Sequence, residues 1–304
     1  MRERSSTALC LNSAFFGYYA HAGFVKGLTE IGFKPARVTG SSAGAMVGAL
    51  YCAGVDMDEL TKLMLQLKRS DFWEGNFLSQ LAKPFLRGVS RYSGLLSGKK
   101  IRRLLEPYLG GLSFADLKIP LGIAVSNVTT GRRELRTNGS VMDSVLCSMA
   151  FPGLIEVQSM EDQEFIDGGV VDHEPIKELI LDRGIKEIVI HMIESSSPPA
   201  RSPLLRAFNS SVTIIDHETR ELKNLLALQH KKKIVRIQTI TEPMGPSKAH
   251  LGPDSLARGR NSALSNRNEI MRGGTSKSEK AGGKNQSAVR NVRPGSKRRQ
   301  QLKR

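Results

Sequence analysis

The residues with the clearest chemical potential are Gly40-Ser41-Ser42-Ala43-Gly44, a G-x-S-x-G pentapeptide. A serine hydroxyl becomes a useful nucleophile when a sharp strand-to-helix turn exposes it and a neighbouring group takes its proton. Such a turn strains its central residue, and a glycine two positions away on either side removes the Cβ atoms that would clash there. The helix that follows contributes the partial positive charge of its N-terminus, which favours a developing oxyanion. The spacing points to acyl transfer through Ser42, with Ser41 able only to cap the helix. Taken alone, the pentapeptide also describes a Gly/Ser turn that starts a helix and does nothing more. Asp167-Gly168-Gly169, taken alone, is a tight turn after a strand.

The elements around Ser42 supply the context that the pentapeptide needs. Residues 8–12 and 36–39 are short apolar runs that fit buried strands. Between them Phe24, Val25, Leu28 and Ile31 fall at helical spacing, and Gly32 stops the helix. After the serine, Ala45, Met46, Ala49 and Leu50 form one helical face that ends near Gly54. Further helices are expected at 56–67, 98–108, 140–149, 175–181 and 204–230, with a last one from Asp254 to about Ile270. Strands are expected at 119–125, 164–166, 187–193 and 233–239, and residues 133–136 fit the return strand of a hairpin after Thr130-Gly131. Alternation of this kind predicts an α/β fold with a mostly parallel sheet between helices. The α/β-hydrolase order of Ser, Asp/Glu, His requires several strands before the serine. Only 41 residues precede Ser42, room for one βα unit and one more strand, so that architecture fits badly.

Composition limits the partners. The chain has 304 residues, with 45 Lys and Arg against 29 Asp and Glu, a formal charge of +16. Residues 273–304 hold ten of the basic residues and one acid, Glu279, for a net +9, which leaves +7 on residues 1–272. That last segment has few large apolar residues to offset its ordering entropy, so it is expected to be a disordered basic tail behind one folded domain, residues 1–272. A basic excess suits anionic headgroups, nucleic acid or acidic proteins. No RNA-binding module accompanies the tail, so nucleic acid is not expected; peripheral contact with an anionic membrane or a solvated appendage is. Residues 71–91 interleave Phe72, Trp73, Phe77, Leu78, Leu81, Phe85 and Leu86 with Lys83, Arg87 and Arg91, which suits a lid or membrane-facing flap as well as ordinary helix packing. Cys10, Cys52 and Cys147 are far apart in apolar surroundings and fit buried free thiols. The six histidines show no metal-ligand spacing, His191 fits a satisfied core residue, and neither a metal nor a cofactor is expected. No stretch approaches the ~18–20 apolar residues of a membrane span. Asn12 and Ser13 interrupt the first apolar run, which fits a strand better than a leader peptide. The expected location is cytoplasmic, with contact at a membrane surface.

Four segments, in order, resemble the patatin-like phospholipase family: HAGFVKGL (His21–Leu28), GSSAG (Gly40–Gly44), SMAFPGLIEV (Ser148–Val157) and DGGVVDHEPI (Asp167–Ile176). The resemblance covers about residues 7–183. It implies a three-layer α/β/α domain and a carboxylic ester hydrolase of phospholipase or lysophospholipase type, acting on a membrane lipid or lysolipid. It implies a Ser42–Asp167 dyad without histidine, in which Asp167 accepts the serine proton and later activates the water that cleaves an acyl-enzyme. Gly168 and Gly169 would let the backbone approach the nucleophile. The family's oxyanion loop is a glycine run followed by a basic residue and another glycine. Here the stretch is Ser13-Ala14-Phe15-Phe16-Gly17, where only Gly17 survives, and the candidate donors are the amides of Ala14 and Phe15. His173 stands where the family places Asn, and fits a structural role. The altered loop keeps open a catalytically silent lipid-binding protein. A soluble esterase with a Ser-His-Asp triad through His173 or His191 is the other alternative.

Overall fold

The computed structural model describes residues 6–67, 93–195, 203–245 and 248–271. The expected basic tail, 273–304, and the aromatic segment 71–91 lie outside the described residues.

Strand β1 (Thr7–Leu11) is buried along its whole length. It leads to α1 (Tyr18–Glu30), β2 (Arg37–Ser41), α2 (Ala43–Ala53) and α3 (Met57–Gln66). The Asp56 carboxylate caps α3 by accepting from the amides of Asp58 and Glu59. Next come β3 (Gly94–Leu96), α4 (Lys99–Leu109), β4 (Leu121–Asn127), β5 (Arg132–Arg136) and α5 (Val141–Ser148). The short strands β6 (Gly153–Ile155) and β7 (Gln158–Met160) precede β8 (Gln163–Asp167) and α6 (Lys177–Leu181). The chain continues through β9 (Glu187–Ser195), α7 (Pro203–Gln229), β10 (Lys233–Thr241), α8 (Gly252–Ser265) and α9 (Arg267–Met271).

The main sheet runs β10-β9-β1-β2-β4-β8-β7, with β5 also paired to β4. The five strands from β10 to β4 are parallel, and β5, β8 and β7 join antiparallel. Side chains alternate across β1 with the period of two that a strand imposes. Leu9 and Leu11 enter one core with Phe24, Leu28, Met46 and Leu50. Ala8 and Cys10 enter the other with Ile176, Leu179, Ile188 and Ile190. Two cores on opposite faces of one sheet make the three-layer α/β/α arrangement, and they explain why β1 and β9 are apolar on both sides. Cys10, Cys52 and Cys147 are all buried and free, and burial pushes each thiol upward. No helix among the described residues is long and apolar enough to cross a membrane.

The sequence pattern misses β3, β6 and β7. Each has three residues, too few for a period to register. β3 and β6 pair in a small separate sheet that carries Leu96, Leu154 and Ile155 to the wall of a cavity.

Candidate active site

Ser42 lies between the last residue of β2 and the first of α2, with φ 53° and ψ −121°. Side-chain-bearing residues rarely occupy this region, and holding one there costs roughly 1–3 kcal/mol. The flanking glycines answer to particular neighbours. A Cβ on Gly40 would lie 2.6 Å from the Gly44 carbonyl oxygen, and a Cβ on Gly44 would lie 2.3 Å from that of Leu11. The first turn of α2 therefore packs directly on β1 and on the strand it has just left.

The Ser42 hydroxyl donates to Asp167 Oδ2 at 2.6 Å. Asp167 ends β8, and its Oδ1 accepts from the Gly169 amide at 2.7 Å. The carboxyl is buried, and burial pushes it up to about 6 against the lowering effects of the Ser42 hydroxyl, the Gly169 amide and the charge of His173. Such a group is mostly ionised at neutral pH yet binds a proton readily, as a general base requires. Gly168 and Gly169 are needed for close packing on either side of this carboxylate. A Cβ on Gly168 would meet the Ala124 carbonyl oxygen at 2.1 Å, and one on Gly169 would meet Ser13 Oγ at 2.0 Å.

Two further serines and one carbonyl hold this pair; Ser148 and Ala150 fall in the SMAFPGLIEV segment, and Ser126 falls in no marked segment. The Ser42 amide donates to Ser148 Oγ at 2.9 Å. The Asp167 amide donates to the Ala150 carbonyl at 3.0 Å. Ser126 Oγ donates to the Asp167 carbonyl at 2.9 Å. The stretch Ser148–Pro152 thus grips Ser42 through its serine and Asp167 through its alanine carbonyl. Its spacing marks the segment, but a partner 106 residues upstream leaves no local signal. Removing the Ser148 hydroxyl leaves the Ser42 amide without its acceptor, a loss of about 1–3 kcal/mol. Ser148→Ala is expected to lower kcat on an ester substrate by about tenfold or more through misplacement of the hydroxyl, with KM little changed and the fold retained by circular dichroism.

Ser42 and Asp167 face a cavity of about 190 Å³ whose wall includes Phe16, Tyr18, Ile101 and Met149. Phe15 and Phe151 also line it and are 57% and 40% exposed, with ring centroids 6.1 Å apart. Ala14 and Phe15 stand on this wall. The Gly17 amide instead closes a turn on the Ala14 carbonyl at 3.1 Å, and the Ser13 amide is bound to the His173 carbonyl at 2.8 Å. His173 also reaches the cavity, and its Nδ1 lies 3.0 Å from Asp216 Oδ1 on α7. His191 is elsewhere: its two ring nitrogens meet His21 Nδ1 and Thr239 Oγ1, each at 2.8 Å. Behind the Asp-Gly-Gly turn, Asp172 pairs with Arg133 and Lys223, and Glu174 pairs with Arg220 and Arg236. These ion pairs tie α7 and β10 to the loop that carries His173.

A sequence profile described as patatin-like phospholipase matches residues 9–180, which includes the elbow, the Ser-x-Ala-x-Pro stretch and the Asp-Gly-Gly turn. The chain belongs to the patatin-like phospholipase family. Among patatin-like relatives, an uncharacterized NTE family protein of Mycobacterium tuberculosis is 25% identical over 205 residues, 66% of this chain and 54% of that one. Lysophospholipase NTE1 of Cryptococcus neoformans is 26% identical over 196 residues, 64% of this chain and 11% of that one. The chain thus spans about half of the mycobacterial protein and about a tenth of the fungal one. The crystal structure of VipD from Legionella pneumophila superposes with a TM-score of 0.56 at 15% identity, covering 89% of this chain and 67% of that one. It shares the patatin fold.

Proposed function

We propose that this chain hydrolyses a carboxylic ester of a membrane lipid or lysolipid through Ser42 and Asp167. The observation that carries the reading is the 2.6 Å contact between the Ser42 hydroxyl and a buried carboxylate at the wall of an apolar cavity. Ser42 Oγ attacks the acyl carbon while Asp167 takes its proton. The carbonyl oxygen becomes an oxyanion, with the amides of Ala14 and Phe15 and the N-terminus of α2 as its candidate donors. The intermediate collapses, the alcohol leaves with the proton from Asp167, and the acyl group stays on Ser42. A water molecule then gives a proton to Asp167 and attacks the acyl-enzyme. The fatty acid departs, and the proton returns to Ser42. The cycle balances without a cofactor.

The exposed Phe15 and Phe151 at the cavity mouth suit contact with an acyl surface, and the basic segment 273–304 suits anionic headgroups. On this reading the protein is cytoplasmic and meets its substrate at a membrane surface. The Ser-His-Asp alternative is disfavoured because the Ser42 hydroxyl meets a carboxylate and His191 is committed to His21 and Thr239.

The test is turnover of a short-chain ester and a phospholipid, together with labelling by a fluorophosphonate probe. Wild type is expected to label at Ser42, and Ser42→Ala to lose labelling and at least about 10³-fold in turnover. Full turnover in Ser42→Ala overturns the mechanism. A catalytically silent lipid-binding protein is the second reading, favoured by side chains where the family has glycines and by the engaged amides of Ser13 and Gly17. A wild-type protein that neither labels nor turns over selects it.

A further inference from the structure

Ser13 brings a side chain to the loop where the family carries a glycine run, and the proposed cycle gives that side chain no task. It stands on the cavity wall with Ser42 and Asp167. Its backbone is fixed, because its amide donates to the His173 carbonyl at 2.8 Å. Its hydroxyl lies directly over Gly169: a Cβ there would meet Ser13 Oγ at 2.0 Å and Asp167 Oδ1 at 3.1 Å. The two oxygens are therefore at most about 5 Å apart, a separation that one water molecule bridges with a hydrogen bond to each side. Asp167 is bonded directly to Ser42 and Gly169 instead. Among the described residues, Ser13 Oγ has no hydrogen-bond partner, and the residue is only half-buried, so its hydroxyl is open to what enters the cavity.

Water is a reactant in the second half of the proposed cycle. It must give one hydrogen to Asp167 and aim a lone pair at the acyl carbon on Ser42. An acceptor for its other hydrogen fixes that aim. We infer that Ser13 Oγ is this acceptor and holds the hydrolytic water against Asp167 while the acyl group is on Ser42. The water oxygen bonds to the acyl carbon and one proton passes to Asp167. The bond between the acyl carbon and Ser42 Oγ then breaks, and Ser42 recovers the proton. Ser13 leaves the cycle unchanged. An alcohol in the same place has a single hydroxyl hydrogen, which goes to Asp167 and leaves the Ser13 acceptor unused. Ser13 therefore favours water over an alcohol as the acyl acceptor, and hydrolysis over acyl transfer. This role rests on the reading of Ser42 and Asp167 as an ester-cleaving pair.

The experiment follows p-nitrophenyl butyrate with the full chain by stopped flow, which separates nitrophenol release on acylation from the later deacylation. A second measurement, in buffer containing methanol, gives the ratio of methyl butyrate to butyrate. Ser13→Ala and Ser13→Gly both remove the hydroxyl. Each is expected to acylate within about threefold of the wild-type rate and to deacylate about tenfold more slowly, with the ratio of methyl ester to acid raised about tenfold. A merely structural role, or a hydroxyl that served the oxyanion, would slow acylation and deacylation together and leave the product ratio where it was. Either result in a folded variant overturns the inference, as does a variant that matches wild type in both measurements; Ser13→Gly decides if Ser13→Ala does not fold. Failure of the underlying reading shows itself differently, as no nitrophenol release by wild type.

Discussion

Asp167→Asn is expected to lower ester turnover by about 10²–10⁴-fold and, in the same protein, to raise thermal stability at pH 8. The two effects share one cause. Burial holds the folded carboxyl at about 6, against an ordinary value of 3.8. Between those values the folded chain holds a proton that the unfolded chain has released. Above about pH 6 both states are ionised, and the folded state carries the whole cost of the buried charge, about 3 kcal/mol. Below 3.8 both are protonated and the cost is gone. An asparagine avoids it at every pH and keeps the local bonds: Oδ1 still accepts from the Gly169 amide, and Nδ2 can donate to Ser42 Oγ. For a domain of this size the gain at pH 8 corresponds to a Tm rise of about 5–10 °C. It should shrink steadily on acidification and vanish near pH 4. Melting curves of wild type and Asp167→Asn at pH 8, 6 and 4 read this directly. Equal Tm values at pH 8, or an offset that does not change with pH, would show that the carboxylate is not desolvated in the way the fold requires. A buried ionised group retained at a stability cost is the signature of a group kept for chemistry.

How far this pair is legible in the sequence depends on the range of the interaction. The G-x-S-x-G turn is local, and five residues carry its steric logic; spacing nominates Ser42, the expected strand and helix on either side separate it from a plain Gly/Ser turn, and it stands at a strand–helix junction in the structure. Asp167 is 125 residues away, and Asp-Gly-Gly alone is an ordinary turn; only the order of four segments links it to the serine. The parallel core is legible because Thr7–Leu11, Leu121–Asn127 and Glu187–Ser195 are apolar on both faces. Ser126 is not legible, and Ser148 is marked only as the first residue of SMAFPGLIEV with no sign of its partner, because a hydroxyl that bonds a distant backbone group leaves no periodic trace. The oxyanion loop lies between these cases. Ala14 and Phe15 stand on the cavity wall, while Gly17, the residue that looks most like the family, turns its amide to the Ala14 carbonyl. The reason is geometric: Phe16 takes φ +53°, and the reversal there faces the next amide back into the loop. His173 stands on the cavity wall with Asp216 of α7 beside it, a position that depends on a partner 43 residues downstream and leaves no local signal.

Acidification from pH 6.5 to 4.5 is expected to destabilise the protein, and Asp167→Asn more steeply than wild type. The source is a buried chain of hydrogen bonds with one consistent direction. His21 Nε2 lies 2.9 Å from the Asn12 carbonyl, which can only accept, so Nε2 bears the hydrogen. His21 Nδ1 must then accept from His191 Nδ1 at 2.8 Å. His191 Nε2 in turn accepts from the Thr239 hydroxyl at 2.8 Å, and Thr239 Oγ1 meets Ser262 Oγ at 2.7 Å. Phe24 stacks on His191 at 3.9 Å and 4°, which closes the site to water. A further hydrogen on His21 Nδ1 would face the N–H of His191, and a charge on either ring would be sealed away from water. Burial accordingly lowers His21 to about 3 and His191 well below its ordinary value, with the His21 charge adding to the effect. In the unfolded chain both titrate near 6.5. Below that pH the unfolded state binds two protons that the folded state refuses, and stability falls by up to about 2.7 kcal/mol per pH unit. Asp167 works in the opposite direction from about pH 6 down to 3.8, where the folded state is the one that binds the proton, and it offsets about half of that slope. Removing the carboxylate removes the offset. Urea unfolding at pH 7, 5.5 and 4.5 should give the asparagine variant the steeper decline, with the two proteins converging near pH 4. Two histidine ring signals should stay neutral by NMR from pH 8 to 5. Parallel declines for the two proteins, or six histidines that all titrate in the folded chain, would contradict a sealed histidine pair set against the proton-binding carboxyl of Asp167.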